Sequence, residues 1–151
     1  MNMQHLSNAL RESACETLEN LAFTELEPEP AARLPETGER LCACIGMGLD
    51  GSLDVVLSRA LLSEIASILF NLEAGDIDPG TLDDTLLEIA NIIAGRYLEK
   101  VHRGNSDFTL GLPTVCAGAA DWEALPVRLS LASGPGRLLA LGLRAGNGTE
   151  D

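Results

Sequence analysis

With 151 residues, the chain is long enough for one domain built around a single hydrophobic core, whereas two domains would be cramped. Ten basic and 23 acidic residues give a net charge of −13, and no segment gathers enough Lys or Arg to neutralise a phosphate backbone. This charge argues against nucleic acid and anionic membranes as partners. The start, MNMQHLSNAL, has neither the basic cluster nor the apolar run of a signal peptide, so we expect a cytoplasmic protein.

The first half of the chain begins with a helical pattern. Apolar residues recur at helical spacing over residues 5–22, which predicts an amphipathic helix. Three prolines and five glutamates then mark residues 25–39 as a loop, with a short edge strand expected near residues 23–26.

A β-hairpin is predicted next. Larger apolar residues alternate with small ones over residues 41–49, which indicates a strand whose small face, Cys42, Cys44, Gly46 and Gly48, could receive a closely packed helix. Asp50-Gly51 supplies the turn, and residues 52–57 form the returning strand. Ser58 is placed to cap a second helix over residues 59–70.

The second half of the chain repeats this order loosely. A third helix is predicted over about residues 81–102, starting in a capping-box-like Thr81/Asp84 pair or, alternatively, one turn earlier at Asp78-Pro79. Three strand-like runs follow, at residues 108–115, 127–132 and 138–143. A turn at residues 133–136 joins the second run to the third.

The order of these elements predicts an α+β fold. We expect a single domain over residues 1–144, in which amphipathic helices pack on one antiparallel sheet in two loosely similar helix-plus-strands halves. Residues 145–151 are expected to form a frayed tail.

The third helix carries residues that a helix built only for stability would avoid. Its core face repeats at about 100° per residue, through Leu82, Leu86, Ile89, Ala90, Ile93, Tyr97 and Val101. The opposite stripe holds Asp84, Glu88, Asn91, Gly95 and Glu99, with Ile92 beside it. Gly and Asn in mid-helix, together with the like-charge Asp84/Glu88 pair, cost roughly 2 kcal/mol. A purely structural interpretation remains open. In it, Asp84 caps the helix, Glu88 and Asn91 are ordinary solvated side chains, and Gly95 allows a close contact with another element.

Three segments together resemble one known family. The helix segment DTLLEIANIIAG, which contains Glu88 and Asn91 in an ExxN spacing, resembles the signature helix of the CheX/CheC-type phosphatases of bacterial chemotaxis, with the CheX branch nearer. Downstream, LGLPTVCAG at 110–118 resembles the LPTV segment of CheX-like domains. Upstream, the GxxxxxLS pattern at 51–58 leads into a short helix, as it does there, so the resemblance covers roughly residues 5–144.

The resemblance implies a function and a set of site residues. Such proteins hydrolyse the phospho-aspartate of a CheY-like response regulator, so Asn91 would orient the attacking water and Glu88 would pair with the regulator's active-site lysine. Asp84, Ile92 and Gly95 would help to dock the partner. The chain would need no cofactor of its own, because the regulator would hold the Mg²⁺. The first helix reads ETLEN and lacks the ExxN spacing, so the chain carries one such helix. The CheX resemblance implies that two subunits pair as a homodimer, which presents one such helix per subunit.

Two other interpretations remain. The chain could be a non-catalytic module that docks a response regulator or another signalling protein. A cysteine-based redox or metal protein would rest on Cys42 and Cys44 alone, because there is no CxxC motif and Cys15 and Cys116 are distant in sequence. The two histidines fall in no recognised ligand spacing, so we predict no metal site and four reduced cysteines that serve as small packing residues.

Overall fold

A six-stranded antiparallel sheet forms the centre of the structure, a computed structural model that describes residues 2–105, 107–117 and 121–146. In chain order, its strands are β1 (Glu27–Pro28), β2 (Arg40–Gly46), β3 (Ser52–Ser58), β4 (Thr114–Cys116), β5 (Val127–Gly134) and β6 (Arg137–Arg144). Their order across the sheet is β1-β5-β6-β3-β2-β4, and every neighbouring pair is antiparallel. The α+β class predicted from the sequence is confirmed.

The two halves of the chain exchange their edge strands. Strand β1 belongs to the first half but pairs with β5 of the second, while β4 of the second half pairs with β2 of the first. The central β3–β6 pair joins the halves through six residue pairs, from Ser52↔Arg144 to Leu57↔Leu139. The two halves are therefore similar in the order of their elements, and both contribute strands to one continuous sheet.

Three α-helices begin at side-chain caps. They are α1 (Met3–Ala22), α2 (Arg59–Phe70) and α3 (Pro79–Val101). Ser58 Oγ accepts a hydrogen bond from the Leu61 N–H at 3.3 Å, which confirms the predicted start of α2. Asp78 caps α3 by accepting from the Thr81 N–H at 2.7 Å, with Pro79 in the first turn. The preferred Thr81/Asp84 start is wrong, and the alternative one turn earlier is right.

The main core lies between the three helices and one face of the sheet. It is filled by aliphatic side chains that are fully or almost fully buried, among them Leu10, Leu18, Ile45, Leu53, Leu57, Leu62, Ile65, Leu86, Ile89 and Ile93. A smaller cluster covers the opposite face of the sheet, where Trp122 and Leu125 pack over Cys42, Val56 and Ala140. Neither face of the central strands is left to solvent.

The prediction that a helix packs on the small-residue face of β2 is wrong. The helices pack against the Ala43 and Ile45 side of β2, whereas Cys42 lies in the smaller cluster on the other face. The strand also ends at Gly46 and does not reach residue 49. The chain turns there into a 3-10 turn at Gly48–Asp50, and Leu49 is exposed, because the hairpin closes through Met47 and Gly51. Gly51 has φ +93°, a backbone conformation that favours glycine, as the predicted Asp-Gly turn implied.

Two edge strands differ from their predicted positions. The strand predicted at 108–115 is confined to Thr114–Cys116, because Pro113 has no N–H to donate just before it. In the segment before β4, the Gly111 N–H donates a hydrogen bond to the Gly46 carbonyl at 2.8 Å, which holds that segment beside the end of β2. The short strand expected near residues 23–26 lies at Glu27–Pro28.

Further 3-10 turns lie at Ala74–Asp76 and Trp122–Ala124. Strand β6 ends at Arg144, and residues 147–151 of the predicted tail lie outside the described residues. Among the helices of the described part, none combines the length and apolar character that crossing a membrane requires.

Candidate functional site

One face of α3 carries all the residues that the sequence singled out. Asp84 and Glu88 are exposed, and Asn91, Ile92 and Gly95 are half-buried further along the same helix. Glu88 and Asn91 are three residues apart, so their side chains leave the helix as neighbours on adjacent turns. The structure therefore brings the predicted residues together on a single surface.

The buried face of α3 holds this surface in place. The predicted core-facing residues are all buried, and Ala94, expected at the margin, is fully buried as well: Leu82, Leu86, Ile89, Ala90, Ile93, Ala94, Tyr97 and Val101. A long helix packed along its length in this way is a rigid support. The side chains on its outer face need only their own rotamers to be set when a partner binds.

Ion pairs with α1 fix one flank of α3. Arg96 contacts Glu16 at 3.3 Å, and Lys100 contacts Glu16 at 3.1 Å and Glu12 at 3.8 Å. These contacts occupy Arg96 and Lys100 on the flank next to the Glu88 stripe. The Glu88 face keeps its negative charge without an internal counter-ion.

The polar groups of the site have no partners among the described residues. In the part of the chain that the structure describes, no hydrogen bond or ion pair engages the side chains of Asp84, Glu88 or Asn91. The Asn91 carboxamide is not among the buried polar atoms that lack a partner, so solvent reaches it in the free protein. Asn91 and Glu88 are thus available to an external ligand at no cost in internal contacts.

Gly95 lies beside a side chain of the same protein. A Cβ atom added at Gly95 would meet Leu110 Cδ2 at 3.8 Å, an ordinary van der Waals distance, and no described atom lies closer. The fold has room for a methyl group at this position. Close packing within the chain therefore does not explain the glycine, although Leu110 does border it.

Exposed apolar side chains lie in and before β4, and Leu110 among them lies beside Gly95 of α3. Leu110 is 37% exposed and Leu112 is 88% exposed, both in the segment before β4. Val115, on β4, is 47% exposed. The sequence predicted a strand over residues 108–115 and did not mark these side chains as exposed. The signal that could have revealed them was Pro113, which interrupts that strand.

The corresponding face of α1 does not carry a second site. Glu16 is held by the cations of α3, and the exposed Glu19 and Asn20 are adjacent in sequence, so their side chains diverge by about 100° around the helix. Of these two helices, α3 alone presents an unpaired carboxylate and an unpaired carboxamide one turn apart.

The groups that could hold a metal ion lie elsewhere. Within the described residues, Cys42, Cys44 and Cys116 bring their ligand atoms within 4.8 Å of one another. Cys42 is part of the cluster that covers the face of the sheet opposite to the helices. Any ion bound there would be separated from the α3 surface by the sheet itself.

Comparison with known proteins identifies the family of this chain. Residues 41–123 match the family model described as chemotaxis phosphatase CheX, a segment that includes all of α3. A matched segment of this extent covers more than half of the chain, and the protein therefore belongs to the CheX family of chemotaxis phosphatases.

Solved structures share the fold at low sequence identity. The chemotaxis protein CheX from Vibrio vulnificus superposes with a TM-score of 0.71 and 19% identity, over 91% of this chain and 95% of that one. CheX from Borrelia burgdorferi, solved with CheY, BeF3 and Mg²⁺, gives a TM-score of 0.67 and 18% identity, over 91% and 96% of the two chains. A CheX from Desulfovibrio desulfuricans gives 0.65 and 12%, over 92% and 99%. No curated protein matches the sequence.

Proposed function

We propose that this protein hydrolyses the aspartyl phosphate of a phosphorylated CheY-like response regulator, with Glu88 and Asn91 as the residues that act at the regulator's active site. The observation that carries the proposal is the unpaired Glu88/Asn91 pair on the outer face of a rigid helix. Membership of the CheX family supports the reaction class. The Borrelia CheX complex with CheY supports the partner class, since BeF3 there stands in for a phosphoryl group.

The reaction needs an oriented water more than it needs covalent chemistry. Water attacks phosphorus in line with the aspartyl oxygen, the phosphorus–oxygen bond to that aspartate breaks, and inorganic phosphate leaves. The Asn91 carboxamide can accept from and donate to that water, and it stays neutral beside the anionic phosphoryl group. A carboxylate at this position would add a repulsive charge.

Glu88 has a different role, in docking and alignment. Its carboxylate lies one turn before Asn91 and has no internal partner, so it is free to pair with a cationic group of the regulator. In the family resemblance this group is the active-site lysine. An ion pair between Glu88 and that lysine would fix the distance from α3 to the phosphoryl group. It would thereby position the Asn91 carboxamide relative to the phosphorus atom.

The surrounding residues suit a protein partner. Ile92 and the bare backbone at Gly95 leave a low, partly apolar surface next to the polar pair, and Leu110 borders it. Asp84 extends its acidic end, one turn before Glu88. We propose that this surface docks the regulator, which holds the Mg²⁺, and that the protein acts in the cytoplasm as a homodimer with one such surface per subunit.

The direct test is turnover. Purified CheY-like regulators from the same organism would be labelled with radioactive phosphate and mixed with catalytic amounts of the protein in Mg²⁺. Release of inorganic phosphate from at least one regulator, faster than its own decay and proportional to the amount of added protein, is the expected result. Binding of the phosphorylated regulator without faster release would favour the docking-module alternative and contradict the proposed reaction.

A further inference from the structure

Three cysteine thiols converge on the side of the sheet that faces away from the helices. Cys42 and Cys44 are two residues apart on β2 and therefore point to the same face. Cys116 on β4 is directly opposite Cys42, and their Sγ atoms are 3.1 Å apart. All three sulfur atoms lie within 4.8 Å of one another.

The cluster lies in a partly dry environment. Cys42 is buried with Val56, Trp122 and Ala140, while Cys44 and Cys116 are half-buried. Trp122 is held over the sheet by a hydrogen bond from its indole N–H to the Ala32 carbonyl at 3.3 Å. Cys42 is therefore shielded from bulk water, while Cys44 and Cys116 keep an approach from solvent.

A buried carboxylate lies next to the thiols. Asp54 on β3 is directly opposite Cys44 and is completely buried. One of its oxygens, Oδ1, contacts the Arg144 guanidinium at 2.6 Å. Neither oxygen makes a hydrogen bond of good geometry in the described part of the chain, although the Cys44 thiol lies within hydrogen-bonding reach of the carboxylate. A buried carboxylate without such a hydrogen bond is costly, which sets this cluster apart from cysteines that merely fill space.

We propose that Cys42, Cys44 and Cys116 bind one soft, thiophilic d10 cation, either Zn²⁺ or Cu⁺. Thiolates are the ligands that select these ions. Three sulfurs bound at about 2.3 Å from one ion would be roughly 3.8–4.0 Å apart, a spacing within the range that the three side chains already approach. Small side-chain rotations, chiefly an opening of the Cys42–Cys116 pair, complete the site.

The two ions differ in what they need from Asp54. Zn²⁺ prefers four ligands in a tetrahedron, and the Asp54 carboxylate, on the residue opposite Cys44, would have to move toward the three thiols to supply the fourth. Cu⁺ is satisfied by the three thiolates alone. The substitution Asp54→Asn therefore distinguishes them, because it should weaken Zn²⁺ binding and leave Cu⁺ binding nearly unchanged.

Binding would release protons and brace one edge of the sheet. Burial, followed by the neighbouring Cys116 thiol, raises the pKa values of Cys42 and Cys44 above that of an ordinary thiol, so both are protonated at neutral pH without a cation. Metal binding must displace those protons. The bound ion would also link the three-residue strand β4 to β2, and it would steady the segment that places Leu110 beside α3.

The test begins with the wild-type chain, prepared without oxygen and with its four free thiols verified by titration under denaturing conditions. Zn²⁺ alone and Cu⁺ alone are then added in separate titrations. We expect one ion per chain, proton release on binding, and protection of Cys42, Cys44 and Cys116 from alkylation while Cys15 stays reactive. Mass spectrometry of the alkylated peptides reads this pattern in the unmodified protein, independently of any variant.

Matched variants then assign the ligands. Cys116→Ser and Cys44→Ser, both at half-buried positions, should weaken binding at least about 100-fold, the loss expected when one of three thiolates is removed. Cys15→Ser, half-buried on α1, makes the same change away from the cluster and should bind as the wild type does. The proposal is overturned if neither ion binds stoichiometrically, if all four cysteines alkylate equally with the ion present, or if Cys42 and Cys116 prove to be disulfide-bonded in the anaerobic protein.

Discussion

Asn91 is the residue whose environment most needs a functional explanation. It is half-buried in the middle of α3 and has no partner in the described chain, although Ala at the same place would favour the helix by roughly 0.6 kcal/mol. Local choices that lower stability without an internal gain are typical of functional sites. The same argument applies to Glu88, whose charge is uncompensated even though cations lie on the next flank of the helix.

Reversing the charge of Glu88 should impair docking. Glu88→Lys would oppose a cationic group of the regulator, and we expect affinity for the phosphorylated regulator to fall at least about tenfold. Titration of a fluorescent regulator carrying a stable phosphoryl mimic measures this affinity. Glu19→Lys is the matched control, because Glu19 is exposed on α1, away from the proposed docking surface, and its reversal changes the net charge equally. Equal losses in the two variants would show that overall charge, and not a local pair, governs docking.

Substitutions at Gly95 separate room for a partner from packing within the chain. Gly95→Ala should stabilise the protein by up to about 1 kcal/mol, because the added methyl group meets only the Leu110 side chain at an ordinary distance. Gly95→Leu should leave the unfolding midpoint nearly unchanged but slow dephosphorylation of the regulator. Denaturant unfolding and turnover are measured for both variants. A loss of stability in both would mean that Gly95 serves the fold instead.

At the scale of elements, helices were more predictable than edge strands. The cap at Ser58 and the buried stripe of α3 follow from local spacing, which is present in the sequence alone. The alternation in β2 predicted its two faces correctly, yet it could not say which face meets the helices, because that depends on the order of strands in the sheet. Strand β4 was overestimated because the apolar residues before Pro113 lie exposed at an edge.

The thiol cluster shows the same limit. Cys42 and Cys44 were recognised as neighbours on one strand face, but the approach of Cys116 depends on a strand pairing across 74 residues. Nothing local to Cys116 predicts that pairing. The expectation that all four cysteines only fill space was drawn from spacing, and spacing does not report contacts between distant strands.

The start of α3 gives a pH-dependent prediction. Hydrogen bonds from the Thr81 backbone lower the pKa of the Asp78 carboxyl group in the folded protein, so its stabilising effect is present above the unfolded pKa of about 3.9 and is lost as the pH falls through the lower folded value. Asp78→Asn retains a good cap but cannot titrate. The unfolding midpoint of the wild type should therefore fall relative to that of the variant below about pH 4. A constant difference between pH 7 and pH 3 would contradict this assignment.

At the scale of the whole molecule, the exchanged edge strands leave β4 with one neighbour in the described sheet. An exposed strand edge with apolar side chains such as Val115 is suited to pairing with a second copy. We predict a homodimer of twice 15.9 kDa at micromolar concentration. Sedimentation equilibrium measures the mass directly, and a single 15.9 kDa species at that concentration would contradict the prediction.

The proposed reaction depends on Asn91 of α3, which would orient the water that hydrolyses the regulator's aspartyl phosphate. The most direct measurement compares the rate of phosphate release from a labelled regulator in the presence of wild type, Asn91→Ala and Asn20→Ala, the last being the same substitution at an exposed Asn on α1. The account predicts that Asn91→Ala loses at least about 100-fold in turnover, comparable to removal of one preorganised polar group, while it still binds the regulator and unfolds at or above the wild-type midpoint. Asn20→Ala should match the wild type. Unchanged phosphate release by Asn91→Ala would contradict the account.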